Sequence, residues 1–158
     1  MLVLTHESRL ASFRARVIAE QSGCAEVDSL CVLAGLIVSP EVIDVCRRLA
    51  VDPQDLIADL GLTASLDRMG EIERSLAEQG IAFISQEHVD SVFRNAHPPA
   101  LCREALEIIR ELERACTGPS DPITPVDLFF ALVFKIPEFA HTASVRRLKG
   151  LKPRAQRG

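Results

Sequence analysis

The sequence predicts an all-α protein built from two similar helical halves. Apolar residues recur at helical spacing, and no stretch alternates convincingly at the two-residue period of a strand. Residues 27–37 resemble residues 123–133, because each stretch opens with a β-branched residue, continues with helix-starting residues and ends in an apolar run. One helical hairpin cannot bury its apolar face alone, whereas two copies can pack together. We therefore expect a groove between the copies.

The first half, about residues 8–60, is expected to hold a long amphipathic helix, an apolar helix and shorter helices. From residue 10 to residue 20 the apolar face consists of Leu10, Phe13, Val17 and Ile18. Two further helix starts carry an N-cap followed by Pro, and glycines stand at two expected helix ends. These positions are Ser39-Pro40, Asp52-Pro53, Gly23 and Gly61.

The second half, about residues 99–150, repeats this order. Its long helix has an apolar stripe made by Leu101, Ala105, Ile108, Ile109 and Leu112. The apolar helix begins at Thr124-Pro125, again with a cap and a Pro. A helical connector, about 62–96, joins the halves through one helix from Ala64 to Gln79 and another capped at Ser85. Residues 1–150 form one expected domain, followed by a basic tail at 151–158.

Composition excludes several classes of function. The chain is 47% hydrophobic and 25% charged, which is ordinary for a folded globular protein. Its longest apolar run is far shorter than the roughly 20 residues that span a bilayer, and its opening residues lack a basic leader. We therefore expect a cytoplasmic protein. With no Trp or Tyr, aromatic recognition of sugars or of stacked bases is disfavoured.

Cysteine and histidine residues give no metal or catalytic signature. There are five cysteines, without a Cys-x-x-Cys pair, and the histidines show no helical ligand spacing. We expect structural thiols and exposed or capping histidines, with no cofactor, no metal site and no catalytic residue. A small enzyme with a Cys/His site remains an alternative, because such partners meet only in the fold. The histidines are His6, His88, His97 and His141.

The matching stretches resemble the repeat of the Clp amino-terminal domain, the double four-helix domain that precedes the ATPase modules of Clp-type unfoldases. That repeat reads Ile-Gly-Thr-Glu-His and then Leu-Leu-Leu-Gly-Leu-Leu. Residues 27–37 occupy these slots in the first half, and residues 123–133 occupy them in the second. Residues 50–56 are similar to the Gly-Val-Asp stretch that closes the family's first repeat. The resemblance implies two pseudo-symmetric four-helix repeats, here with an extra connector.

Two features of the family are absent from the sequence. In some members the Glu of the Glu-His pair helps to hold phosphorylated arginine, but the corresponding residues here are Leu30-Cys31 and Val126-Asp127. The resemblance therefore gives no support for phosphoarginine recognition at these positions. No Gly-x-x-x-x-Gly-Lys-Ser/Thr motif occurs, so the sequence offers no loop of that kind to cradle nucleotide phosphates. We expect a free-standing relative of a substrate-receiving domain.

The resemblance implies a non-catalytic module that binds a protein or peptide in protein quality control, as an accessory or decoy to a Clp machine. The partner would be a Clp unfoldase, an adaptor or a substrate segment lying in an apolar groove. An accessory of a secretion-system Clp unfoldase is an alternative setting. The expected groove residues are Phe139, Glu138, Leu30 and Val126, whereas Phe129 and Phe130 are expected in the core. The positions that match the family's helix-start motif are Asp28, Ser29, Thr124 and Asp127.

A small helical nucleic-acid-binding protein is a further alternative, because the C-terminus is basic. Six basic residues follow position 145, and no acidic residue follows Glu138. The rest of the chain contains 12 basic and 22 acidic residues, so it carries a net negative charge. Since an acidic body would repel DNA that the tail attracted, we expect a protein partner rather than nucleic acid.

Overall fold

A computed structural model describes residues 4–78, 100–116 and 121–149 of the chain. Within these ranges the chain forms eight α-helices, one 3-10 turn and two strands of two residues each. The all-α prediction is therefore confirmed. The helix expected from Ser85, the histidines at 88 and 97 and the tail 151–158 lie outside the described residues.

The first half contains four helices and one short strand. They are α1 (His6–Gln21), β1 (Glu26–Val27), α2 (Ser29–Ile37), α3 (Pro40–Arg48) and α4 (Pro53–Leu60). Helix α5 (Thr63–Glu78) follows and matches the first predicted helix of the connector. The second half contains β2 (Ala100–Leu101), α6 (Arg103–Ala115), α7 (Pro125–Lys135), the 3-10 turn (Pro137–Phe139) and α8 (Ala143–Leu148).

Most of the predicted helix starts are stabilised by side-chain caps. The Asp28 carboxylate accepts a hydrogen bond from the Cys31 amide at 2.8 Å, and the Asp52 carboxylate accepts one from the Gln54 amide at 2.9 Å. Ser39 differs from the prediction, because its side chain makes no cap hydrogen bond. The fourth start, at α7, is described with the site below.

Helices α1 and α2 approach each other unusually closely at Gly35. A Cβ atom at this position would overlap the carbonyl oxygen of Ala11, and it would lie 3.3 Å from the amide nitrogen of Ala15. Small residues at all three positions therefore allow the two backbones to come together. This contact fixes α2 against the long helix that precedes it.

The buried residues of both halves form one apolar cluster, with α2 packed directly on α7. Leu33, Leu36 and Leu132 are fully buried and Leu128 is 3% exposed, as the sequence predicted. Burying such side chains is the main source of stability for a bundle of short helices. In the described residues no single helix has both the length and the apolar character to cross a membrane; α2 and α3 meet that test only as a pair bent by 80°.

Two short parallel pairings, which the sequence did not predict, connect the halves. Strand β1 pairs with β2, so that Val27 lies opposite Leu101. A single bridge joins Leu4, just before α1, to Ile123, just before α7. Such pairings involve one or two residues a strand, which is too short for a two-residue period to show in a sequence.

Candidate binding site at the two helix starts

Two equivalent hydrogen bonds hold the starts of α2 and α7. The carbonyl of Val27 accepts from the amide of Cys102 at 2.9 Å, and the carbonyl of Ile123 accepts from the amide of Thr5 at 3.1 Å. Val27 and Ile123 each precede the N-cap of an apolar helix, whereas Cys102 and Thr5 are the N-caps of the two long helices. Each half therefore supplies the donor for the other half's acceptor.

This reciprocity is what a twofold relation between the halves requires. The donors Thr5 and Cys102 are 97 positions apart, and the acceptors Val27 and Ile123 are 96 apart. Both acceptor residues are buried, at 0% and 1% exposure. Because a buried backbone group must be paired, the two bonds tie each half to the other at a point that water does not reach.

The start of α2 is further held by side chains of α6. The Ser29 hydroxyl donates to the Glu104 carboxylate at 2.9 Å, and it lies 4.0 Å from the Cys102 sulfur. Sequence reasoning singled out Asp28 and Ser29 and missed Cys102 and Glu104. An acidic residue in the first turn of α6 is ordinary helix chemistry, so its partner in the other half could not be inferred from sequence.

The start of α7 has a complete capping box. The Asp127 amide donates to the Thr124 hydroxyl at 3.2 Å, while the Asp127 carboxylate accepts from the Thr124 amide at 3.0 Å. From α1, the Ser8 hydroxyl donates to the carbonyl of Ile123 at 2.8 Å. Asp127 is only 6% exposed, so its carboxylate serves the helix start rather than standing free for a ligand.

The four predicted groove residues differ in how exposed they are. Leu30, in the first turn of α2, is 36% exposed and is the one large apolar side chain classed as exposed in the described part of the chain. Val126 is half-buried at the equivalent position of α7. Glu138 is exposed.

Phe139 requires a correction. It is 8% exposed and belongs to the core cluster, so it presents almost no surface to a ligand. The 3-10 turn leaves Pro137 and Glu138 in solvent and turns Phe139 inward. Phe129 and Phe130 are buried, as expected, and their rings meet edge to face with centroids 5.8 Å apart.

The buried thiols are poor nucleophiles. Burial, with a smaller contribution from the neighbouring Asp28 carboxylate, raises the pKa of Cys31 to about 12. Burial also raises the pKa of Cys46 to about 11. Both sulfurs are therefore protonated at neutral pH, and the thiolate is the reactive form. His6 and His141 are exposed. Over residues 4–78, 100–116 and 121–149, no three His, Cys, Asp or Glu side chains are grouped to hold a metal ion.

A second feature is a small cleft between α4 and α8. Its volume is about 240 Å³, and its walls include three carboxylates and one guanidinium group. The lining residues are Val51, Asp52, Asp55, Ala58, Asp59, Ala143, Ser144 and Arg147. None of these lining residues belongs to the start of α2 or of α7, so the cleft is a separate surface.

Comparisons of the chain with protein-family models, with curated proteins and with solved structures find no match. The contacts that join the two parts of this chain include the reciprocal hydrogen bonds of Val27 and Ile123.

Proposed function

We propose that this chain is a non-catalytic module that binds a protein or peptide at the start of α2. The observation that supports the proposal best is the reciprocal pair of hydrogen bonds from Cys102 to Val27 and from Thr5 to Ile123. Such a pair is expected of a duplicated bundle, the architecture that the resemblance to the Clp amino-terminal domain implies. In that family the duplicated bundle receives substrates and adaptors.

The chemistry of the helix starts favours apolar recognition. At the position where the family carries Glu, α2 carries the exposed Leu30 and α7 carries the half-buried Val126. Full burial of a leucine is favourable by about 1.5–3 kcal/mol, and a partner that covered the 36% of Leu30 still exposed would gain only about a third of this. A partner would therefore place an apolar side chain against Leu30, and charged neighbours would orient it.

The partner class follows from the resemblance. It is a Clp unfoldase, an adaptor or a segment of an unfolding substrate, and the setting is protein quality control, regulated proteolysis or a secretion-system Clp machine. Burial keeps Cys31 and Cys46 protonated at neutral pH, so these two thiols are poor candidates for the Cys/His alternative.

Site-specific photo-crosslinking tests the proposal. A photoreactive phenylalanine analogue replaces Leu30 in one variant and Ile43 in the control, and bound proteins are identified by mass spectrometry after irradiation in cells. Ile43 is a half-buried apolar residue of α3, beyond the far end of α2. Helix α2 has nine residues and is therefore about 14 Å long, with Leu30 in its first turn and Ile43 beyond its last residue.

The proposal expects a small, reproducible set of proteins captured from position 30 and absent from position 43. The substitution Leu30→Ser should abolish capture by a probe placed at the exposed residue Glu26, which precedes the start of α2. Equal capture from positions 30 and 43, or capture that Leu30→Ser leaves unchanged, would contradict a binding site at the start of α2.

A further inference from the structure

Helix α8 is too short to be stable by itself. It has six residues, whereas isolated helices become appreciably stable only beyond about 12–15 residues. Its N-cap residue, Thr142, makes no side-chain cap, because its hydroxyl donates backward to the carbonyl of Phe139 at 2.9 Å. The free amides at the start of α8 therefore need a partner from elsewhere in the chain.

That partner comes from the first half. The amide of Ser144, in the first turn of α8, donates to the Asp59 carboxylate at 3.1 Å. Asp59 lies in the last turn of α4, 85 positions earlier in the chain. Hydrogen bonding from Ser144 holds the pKa of Asp59 below its ordinary value, so the carboxylate is ionised and remains an acceptor at neutral pH.

We propose that α8 is a displaceable latch, seated on α4 and capped from across the interface by Asp59. Its apolar anchors are two side chains, Val145 and Leu148, which are 1% and 0% exposed. The helix that packs most closely on α8 is α4, and the packing of α2 on α7 is a separate contact. Loss of the Asp59 cap therefore loosens α8 first, while the packing of α2 on α7 remains.

The cleft beside the cap makes this contact easy to open. The space of about 240 Å³ between α4 and α8 is open to solvent, so water reaches this side of the contact. Asp59 is exposed there, so water competes with Ser144 for its carboxylate. Asp52, Asp55 and Arg147 line the same cleft.

Opening of the latch changes the surface of the molecule. Val145 and Leu148, together with the seat that they cover, become accessible to water only when α8 leaves. In the closed molecule this apolar surface under α8 is therefore hidden, and it is distinct from the exposed Leu30 on α2. Regions of this kind, with few buried contacts and an exposed hydrogen bond, open at a lower free energy than the core.

Hydrogen exchange on the full chain tests the latch. The amides of residues 143–148 are compared in the wild type and in the variants Asp59→Ala, Asp59→Asn and Asp55→Asn. Asp59→Ala should raise exchange in α8 several-fold and leave α2 and α7 protected. Asp59→Asn keeps an acceptor oxygen suited to capping and should retain most of the protection. Asp55→Asn is the matched control, since Asp55 lines the same cleft without bonding to α8, and it should behave as the wild type.

Three results would overturn the proposal. Unchanged exchange of α8 in Asp59→Ala would show that Asp59 does not hold the helix. An equal rise in α7 would show that the variant loosens the whole bundle rather than a latch. Loss of protection in Asp55→Asn as large as in Asp59→Ala would show that the charge of the cleft, and not the cap, controls α8. These outcomes do not depend on the crosslinking at Leu30.

Discussion

The two apolar helices, α2 and α7, begin with similar side-chain caps but carry different side chains further along. In the first half, α1 meets α2 backbone to backbone, because Gly35 leaves no space for a side chain beside Ala11. The position 96 residues later is Ala131, which is buried and directly follows two phenylalanines in α7. There the rings of Phe129 and Phe130 make an edge-to-face contact, and Phe134 stacks on Phe130 at 5.4 Å.

The difference is one of side-chain size on two corresponding helices. Helix α2 comes close to α1 through small residues, whereas α7 carries three phenylalanine rings that contact one another. What the halves share is the reciprocal bonding of Val27 and Ile123, which does not depend on side-chain size. The same backbone hydrogen bond is therefore made before α2 and before α7, although the side chains of the two helices differ.

Core truncation should have the largest effect and should be larger in the second half. Leu33 and Phe129 occupy equivalent positions, and both are fully buried. Phe129→Ala should lower the free energy of unfolding by about 3–5 kcal/mol and Leu33→Ala by about 2–5 kcal/mol. Urea denaturation measures both. Losses below about 1 kcal/mol at both positions would mean that these helix faces are not the core.

Exchanging glycine and alanine at the corresponding positions 35 and 131 tests the difference between α2 and α7. Gly35→Ala forces a methyl group into the Ala11 carbonyl, so the unfolding free energy should fall by about 1–3 kcal/mol although alanine is the better helix former. Ala131→Gly removes a methyl group and helix propensity, at a cost of about 1 kcal/mol. If Gly35→Ala proved stabilising in thermal denaturation, the close contact of α1 with α2 would be refuted.

The helix caps should give smaller and more similar losses. Asp28→Ala and Thr124→Ala each remove an observed cap, and each should reduce stability by about 0.5–2 kcal/mol. The conservative variants Asp28→Asn and Thr124→Ser keep a capping oxygen and serve as controls. A control that loses as much as its alanine partner would show that capping is not the cause.

Ser39 should respond differently from the other helix starts. Its hydroxyl is buried and has no hydrogen-bond partner among the described residues. Ser39→Ala removes an unpaired polar group, so stability should stay within about 0.5 kcal/mol or rise slightly. Chemical denaturation beside Asp28→Ala gives the comparison directly. A loss of the size seen for Asp28→Ala would show that Ser39 acts as a cap after all.

The smallest expected effect is the pH dependence of the hydrogen bond between Asp59 of α4 and Ser144 of α8. Because the folded-state pKa of Asp59 is lowered, the carboxylate stabilises the fold above the ordinary Asp value of about 3.9. This contribution is lost as the pH falls through the folded-state pKa. The Ser144 amide proton shift, followed by NMR, should therefore titrate with a midpoint below that of an unfolded aspartate. A midpoint at or above the ordinary value would contradict the hydrogen bond.

Local features of the fold were readable from the sequence because their causes are local. Asp28, Asp52 and Thr124 lie within three residues of the amides that they cap, and the Pro that follows two of them marks the first turn. The 96-residue correspondence of Val27 with Ile123 was also visible in the sequence. The buried faces of α2 and α7 follow from the same apolar runs.

Features that join distant residues were not readable. Ser29 and Glu104 meet across 75 positions, and Asp59 caps Ser144 across 85. Phe139 was expected at a groove because it follows Pro137 and Glu138, but the 3-10 turn directs its ring into the core. In each case the partner is set by tertiary packing, which a sequence pattern of a few residues does not specify.

Scalar couplings across hydrogen bonds test the relation between the halves most directly. In a triple-resonance NMR experiment, one cross-peak is expected between the Cys102 amide nitrogen and the Val27 carbonyl carbon. A second cross-peak is expected between the Thr5 amide nitrogen and the Ile123 carbonyl carbon. Both peaks together would establish that each half supplies the other's acceptor partner. The presence of only one, or coupling of either amide to a different carbonyl, would contradict the twofold arrangement on which the proposed binding site depends.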